Sequence, residues 1–440
     1  MKNVALAAAL TLFTMPLFAA RELTITTVET AMPGAEGADK KKSEPERHTL
    51  HVTIGRDYAR SVDGDHQVIY DFGKRRLIYA DLAQKTYHDY SLFAELTGRR
   101  VELENRIYQS KALAAGQADA PMMDLIVSEQ ELSLLAGPDS AQPVVKDTPR
   151  ERRYMASAKE GAIELFAASK EMLPMTAAER DGFIRFFRYT FGGHPAALTA
   201  LGKLDGIPKS YRAAGLGHFV TIDITESKSV PDAPYSLGDA KETFDDDLIA
   251  AGMRAARTTP ESREAAAKKL VADAVALADA KKPLQAMLSF LEVNLTVGGD
   301  LPPEFAPKRA ALTASPDVNA LVSSLRPQSE AEAKAAVATF GRLMSAAGDK
   351  AYVLRIFRGD MEASLGQANE AIEDFRAALT VNPTITGVWK DLGESYINNY
   401  ENLIGWKCFE IARKLRPEHP LLANISKIEE GLLKDHPEYF

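Results

Sequence analysis

The alternation of hydrophobic and polar positions changes along the chain, from a period of two residues in the first half to a helical period in the second. Between residues 22 and 30, Leu23, Ile25 and Thr27 fall on one side and polar residues on the other, which is typical of a β-strand. From residue 48 to residue 92, short alternating stretches are separated by turn residues at nearly regular spacing. This pattern predicts an antiparallel sheet.

Each predicted strand has one apolar face, so one face of the sheet must be covered. Two segments are candidates for the cover, namely residues 91–113 and a helix that begins at Thr176. Thr176 and Glu179 have the spacing of a capping box, which marks a helix start. The strands are predicted at residues 22–30, 51–60, 67–72, 76–81, 85–92, 209–213 and 218–225.

From about Ser236 the composition shifts to alanine, lysine and acidic residues, and residues that favour strands become rare. This shift predicts a domain boundary near Gly238. Helices are predicted to begin at Pro260 and at Pro283, and another to run over residues 330–347. The fold class is therefore an α+β N-terminal domain, with a curved antiparallel sheet and covering helices, followed by an all-α domain of helical hairpins.

The strongest internal signal is a repeat near the C-terminus, where an offset of 34 residues aligns the chain with itself. Gly359 in the first copy corresponds to Gly393 in the second, and Phe375 corresponds to Phe409. Small residues at such positions let two helices approach closely, and aromatic residues fill the space between hairpins. These matches, over about residues 350–418, resemble the tetratricopeptide repeat family.

The resemblance implies two helical hairpins and a capping helix over residues 420–436, with Leu421, Ile425, Ile428 and Leu432 or Leu433 on its buried side. Four features depart from the family pattern. Arg355 and Arg358 stand where apolar residues are usual, Tyr400 replaces a turn glycine, and Gly405 replaces an alanine.

In tetratricopeptide proteins the first helix of each hairpin lines the concave face, which binds a partner. The resemblance therefore implies that partner-binding residues occupy the matching positions on these helices. They are Asp360 in the first copy and Lys390, Glu394 and Asn398 in the second. The alternative interpretation is that these four side chains are ordinary solvated positions of a helix.

Part of the N-terminal half resembles a second family. The sequence of residues 70–81, continuing to Tyr87, is similar to the repeated strand-turn-strand of periplasmic proteins that share the half-barrel shape of lipoprotein carriers. Residues 204–208 are similar to a segment near the end of such a domain. The resemblance implies a sheet curved around an apolar hollow, which in the carriers holds acyl chains.

The first twenty residues predict export. A positive Lys2 is followed by an apolar run from Val4 to Leu12 and by small residues before Arg21, which is the layout of a signal peptide. The run is too short to span a membrane, and no lipoprotein cysteine follows it. The expected location is the periplasm or the exterior. The predicted divisions are 1–20 signal peptide, 21–238 half-barrel-like domain, 239–349 degenerate hairpins and 350–440 repeats with a capping helix.

No known catalytic motif is found in the sequence, which contains no G-x-S-x-G, no phosphate-binding loop and no H-E-x-x-H. The eight histidines are dispersed, so no metal site or cofactor is predicted. His194 is kept as the one candidate for an unfamiliar enzymatic site. Cys408 lacks an evident base partner and is interpreted as a buried small hydrophobe.

A net charge of −8 makes nucleic acid an unfavourable partner. The function predicted from the sequence is a non-catalytic scaffold or adaptor of the bacterial cell envelope. It would bind another envelope protein or a peptide segment through its repeats. The alternative is a periplasmic carrier of an acyl chain or another apolar ligand in the N-terminal domain.

Overall fold

A large antiparallel sheet is followed along the chain by an all-helical region, which confirms the predicted fold class. The structure is a computed structural model that describes residues 19–31, 47–98, 144–158, 161–192, 195–214 and 218–440. Most of the predicted signal peptide, the loop at 32–46 and His194 lie outside the described residues. The described residues fall into two units, the first with 19–74, 78–85 and 144–240, and the second with 75–77, 86–98 and 241–440.

The sheet of the first unit is built largely from hairpins between neighbouring strands. Its hydrogen-bonded order includes the run β4-β3-β2-β1-β13-β12-β9-β8-β7, and β10 pairs with β11 in a separate small sheet. The strands before the gap at residue 99 are β1 (Ala19–Ala31), β2 (Arg47–Ile54), β3 (Tyr58–Asp63), β4 (His66–Asp71), β5 (Arg76–Asp81) and β6 (Thr86–Ser91). Those after it are β7 (Val144–Asp147), β8 (Glu151–Ala158), β9 (Gly161–Ser169), β10 (Met172–Leu173), β11 (Ile207–Pro208), β12 (Ser210–Ala214), β13 (His218–Pro231) and β14 (Lys241–Glu242).

The prediction of a single strand over residues 51–60 is wrong, because the chain turns there between β2 and β3. The Gly55 N–H donates to the Tyr58 carbonyl at 2.9 Å, and Ile54 pairs with Ala59. A Cβ at Gly55 would lie 2.2 Å from the Tyr58 ring, so a larger residue does not fit the turn. Strands β7 to β9 were not predicted at all.

Helix α1 (Ala177–Thr190) covers β2 and β3 of this sheet, as expected for the helix that begins at Thr176. The capping box is confirmed, since the Thr176 hydroxyl accepts from the Glu179 N–H at 3.3 Å and the Thr176 N–H donates to Glu179 at 2.8 Å. The buried Glu179 also accepts two hydrogen bonds of 3.2 Å from Arg21 on β1. The cap of the helix and the first strand are thus joined by one carboxylate. A short helix α2 (Pro195–Leu201) follows.

The second unit consists mainly of antiparallel helix pairs, with β6 and β14 as a short parallel pair. Residues 92–98 are also helical. The helix over Glu330–Ala347 has the predicted bounds, and those at Pro260 and Pro283 begin as predicted. The helices are α3 (Asp247–Ala256), α4 (Pro260–Asp279), α5 (Pro283–Val297), α6 (Arg309–Thr313), α7 (Pro316–Ser324), α8 (Glu330–Ala347), α9 (Ala351–Ser364), α10 (Ala368–Val381), α11 (Thr386–Asn398), α12 (Asn402–Leu415) and α13 (Ala423–Asp435).

A buried lysine connects residues 86–98 with the C-terminal helices of this unit. Lys407 on α12 is 3% exposed, and its ammonium donates to the Asp89 carbonyl at 2.8 Å and to Glu242 at 3.0 Å. Beside it, the Trp406 ring stacks on Phe93 at 5.3 Å between centroids. A buried ammonium is tolerated when it is paired and hydrogen-bonded, so these contacts position β6 on α12.

The two hairpins α9-α10 and α11-α12 repeat the same helix contact. A Cβ at Gly359 would lie 2.9 Å from the Phe375 ring, and one at Gly393 would lie 2.6 Å from the Phe409 ring. In the second hairpin a Cβ at Gly405 would also lie 2.8 Å from the Gly393 carbonyl oxygen. Glycine replaces alanine at 405 because the two backbones approach each other there.

Arg355 and Arg358, the departures in the first hairpin, both bind the buried Asp374 on α10. The Arg355 Nη1 donates to Asp374 at 2.8 Å and the Arg358 Nη2 at 2.6 Å. An ionic cluster within the hairpin therefore occupies the place of apolar packing.

The capping helix is present as a short 3-10 turn (Pro420–Leu422) followed by α13. The prediction that Leu421 and Ile428 are buried is wrong, because they are 41% and 42% exposed. Ile425 and Leu432 are buried, so the inward face is narrower than the hydrophobic pattern indicates.

The stability of this cap is expected to depend on the charge of His419, which is buried before the 3-10 turn. Its Nδ1 accepts from the Leu421 N–H at 3.4 Å, so it must be neutral to act as the cap. Burial, followed by the charge of Arg416, lowers the pKa of His419 from 6.5, although the Leu295 carbonyl and Glu418 act in the opposite direction. The unfolded chain then binds the extra proton first, so stability is lost as the pH falls from 6.5 through the folded-state pKa.

The measurement is the urea midpoint between pH 7.5 and pH 5.5 for the wild type and for His419→Asn, in which the amide oxygen keeps an acceptor that does not titrate. We expect a shallower fall in the variant. Parallel pH curves for the two proteins would contradict the assignment to His419.

Candidate partner-binding site

The predicted partner-binding residues lie on α9 and α11, the first helices of the two hairpins. Asp360 is on the third turn of α9, and Lys390, Glu394 and Asn398 follow one another at four-residue spacing on α11. Because residues four apart share a helix face, the three on α11 form a continuous stripe. The distances between these side chains show which of them are in contact.

Three of the four predicted residues, together with Asp391, form one charged cluster. The Lys390 ammonium lies 2.7 Å from a Glu394 carboxylate oxygen and 3.1 Å from an Asp391 oxygen. Asp360 lies close enough for the charges of Asp391, Lys390 and Glu394 to shift its pKa. The cluster therefore contains three carboxylates and one ammonium.

The partial burial of the cluster shifts its protonation. Burial raises the pKa of Asp391 to about 6, against the opposing effect of Lys390. Burial, followed by the negative charge of Asp391, raises the pKa of Asp360 well above its usual range. Burial lowers the pKa of Lys390, but Asp391 and Glu394 outweigh this effect and leave that pKa above its ordinary value. Two closely spaced carboxyl groups thus share a single lysine.

This arrangement leaves acceptor capacity for an external donor. Within the described part of the chain, Asp360 accepts no hydrogen bond, although its carboxylate oxygens have lone pairs for about four. Glu394 is more exposed than the lysine that it pairs with, so it can be reached from solvent.

Asn398 stands apart from this cluster. It is the last residue of α11 and is exposed to solvent. Asp391 was not among the residues predicted from the repeat pattern. Its direct succession to Lys390 is the signal in the sequence that could have identified it, since an acidic neighbour also contacts the lysine.

The sheet of the first unit carries a different kind of depression, with a volume of about 460 Å³. Four of its ten lining residues are charged, and Glu22 pairs with Lys228 across two strands at 2.7 Å. The depression is lined by Glu22, Leu23, Thr24, His51, Val52, Thr53, Arg60, Glu226, Ser227 and Lys228.

Where the structure describes the chain, no group of three or more His, Cys, Asp or Glu side chains could hold a metal ion. Cys408 is buried, and burial raises the pKa of its thiol well above the usual range, which disfavours the reactive thiolate. Within the described ranges, no helix combines the length and apolar character needed to cross a bilayer.

Comparison with known proteins does not assign the chain to a family. A scan against models of known protein families gives no match, and a search of curated proteins gives no significant relative. The function must therefore be inferred from the residues and their arrangement.

Proposed function

We propose that this chain is a non-catalytic scaffold or adaptor of the bacterial cell envelope, and that its two C-terminal hairpins are tetratricopeptide repeats that hold a segment of a partner protein. The observation that carries the proposal is the cluster of Asp360, Lys390, Asp391 and Glu394, to which both hairpins contribute. Two equivalent glycine-phenylalanine contacts, offset by one repeat, support the assignment of the hairpins.

The chemistry of the cluster defines the partner. Even with Asp360 protonated, the carboxylates of Asp391 and Glu394 outnumber the one lysine above pH 6, so a segment that carries lysine or arginine is favoured. Two hairpins form a short binding surface, which suits an extended peptide or a single helix. Partner capture by such a site should weaken as the salt concentration rises, because exposed charges are screened.

A pull-down with the full chain tests this proposal. The wild type, the double variant Asp360→Asn/Asp391→Asn and the control Asp300→Asn are immobilised and exposed to a bacterial envelope extract. Asp300 is exposed and lies outside the cluster, and its replacement also removes one carboxylate. We expect the same partner to be retained by the wild type and the control and reduced at least about tenfold by the double variant, as for a lost charged contact.

The pH dependence gives a second test of the same cluster. Because Asp391 has a pKa of about 6, it gains a proton and loses its negative charge as the pH falls below that value. Capture should therefore be weaker at pH 5 than at pH 7.5, and the double variant should show little of this change. Equal retention by all three proteins at both pH values would refute the proposal.

A further inference from the structure

A pocket of about 110 Å³ in the second unit is lined by hydrogen-bond donors and lies beside the first turn of α11. Two arginines, four threonines and a serine contribute to its lining, and none of the lining residues is acidic. This is unusual in a chain with a net charge of −8. The lining residues are Thr258, Ser262, Arg263, Ala266, Ala267, Leu270, Thr296, Thr384, Thr386, Leu415 and Arg416.

Arg416 contributes a guanidinium to this pocket that makes only two long ion pairs. Its side chain is 13% exposed, and the nearest carboxylates, Glu264 and Glu418, lie 3.7 Å and 3.8 Å away. Both distances exceed that of a hydrogen bond, and the two glutamates are largely exposed to solvent. A mostly buried guanidinium has five N–H donors, which ordinarily find acceptors.

Thr386 adds an unsatisfied donor to the same lining. It is 0% exposed, and its hydroxyl has no hydrogen-bond partner among the described residues. Thr386 is also the first residue of α11, and Ile385 before it provides no side-chain acceptor for the N–H groups of the first turn. A buried helix start without a cap is a favourable position for negative charge, because these N–H groups and the helix dipole both face it.

We propose that this pocket binds a small oxyanion of the size of phosphate or sulfate. Its volume is several times the roughly 10–15 Å³ that one water molecule needs, so a tetrahedral anion can enter. The Arg416 guanidinium would donate to the anion and neutralise its charge, and the Thr386 hydroxyl would donate a further hydrogen bond. Arg263, whose Nη1 donates to the Thr258 carbonyl, contributes a second positive charge at the rim. The site is separate from the charged cluster on α9 and α11.

The experiment measures phosphate binding to the full chain by calorimetry, and the thermal midpoint from tryptophan fluorescence, with chloride keeping the ionic strength constant. The variants are Thr386→Val, which removes the hydroxyl without changing the shape, and Arg416→Gln. Arg309→Gln is the matched control, because this arginine is exposed and does not line the pocket. Sulfate is tested in parallel as a second tetrahedral anion.

We expect phosphate and sulfate to raise the midpoint of the wild type and of Arg309→Gln in a saturable manner. Thr386→Val should bind about tenfold more weakly, and Arg416→Gln should show no binding. A rise in the midpoint that does not saturate, or equal binding by Thr386→Val, Arg309→Gln and the wild type, would overturn the proposal. If Arg416→Gln does not fold, the comparison with Thr386→Val decides.

Discussion

Replacing Glu292 by alanine is expected to lower the unfolding free energy of the second unit by about 3–5 kcal/mol. This is the largest effect that we expect from a single polar residue. Glu292 on α5 is fully buried, and its carboxylate accepts from the Lys350 ammonium at 2.9 Å and from the Asn382 amide at 2.6 Å. Its removal leaves the mostly buried Lys350 charge and the Asn382 amide without their acceptor. Both losses add to the cost.

The measurement is urea unfolding followed by tryptophan fluorescence, because both tryptophans, Trp389 and Trp406, lie in this unit. Glu430→Ala on the exposed side of α13 is the control, with an expected change within about 0.5 kcal/mol. The double variant Glu292→Leu/Lys350→Met should recover much of the lost stability, since apolar residues can replace a buried ion pair at little cost. A double variant as unstable as Glu292→Ala would show that the charge left behind by the single change is not the cause.

Replacing Gly393 by alanine is expected to destabilise the second hairpin by about 1–3 kcal/mol or more. The added Cβ would lie 2.6 Å from the Phe409 ring and 2.8 Å from the Gly405 carbonyl oxygen. A ring can turn, but a carbonyl within a helix cannot move without displacing the helix itself. The helix pair α11-α12 would have to separate, and the cluster around Lys390 on α11 would move with it.

Gly341→Ala is the matched control, since it makes the same chemical change in the interior of α8. No atom lies within 4 Å of a Cβ at Gly341, so the change should stabilise the unit by about 0.5–1 kcal/mol. The same fluorescence measurement reports both variants. The tight contact would be disproved if Gly393→Ala also raised the urea midpoint.

The elements that could be predicted are those whose local pattern agrees with their surroundings. The helix over Glu330–Ala347 follows from its periodicity, and the start of α1 follows from the Thr176-Glu179 capping box. The turn at Gly55 was missed because the alternation continues through it, and the contact with the Tyr58 ring appears only in three dimensions. Strands β7 to β9 were missed because their charged side chains pair across strands, as Arg152 on β8 does with Asp147 on β7 at 3.1 Å, and hide the alternation.

The candidate site, too, could be predicted from the sequence only in part. Positions 360, 390 and 394 could be derived from the repeat alignment, because the alignment places them on the first helix of each hairpin. The effect of Asp391 on the pKa of Asp360 could not be derived from the alignment, because it depends on how closely α9 and α11 pack. In the same way, Arg355 and Arg358 depart from the repeat pattern, and the pattern alone does not show that both bind Asp374 on the next helix.

The ion pair between Arg76 and Glu410 has a consequence for the order of folding. The two residues are separated by 334 positions, and the pair lies within the helical unit at a distance of 2.9 Å. During synthesis, residues 75–77 and 86–98 leave the ribosome long before α12 exists, so their contacts with this helix cannot form until it has been synthesised. Closing so long a loop slows folding, whereas an array of hairpins alone would form from local contacts. The second unit is therefore expected to reach its final state only after α12 has been synthesised.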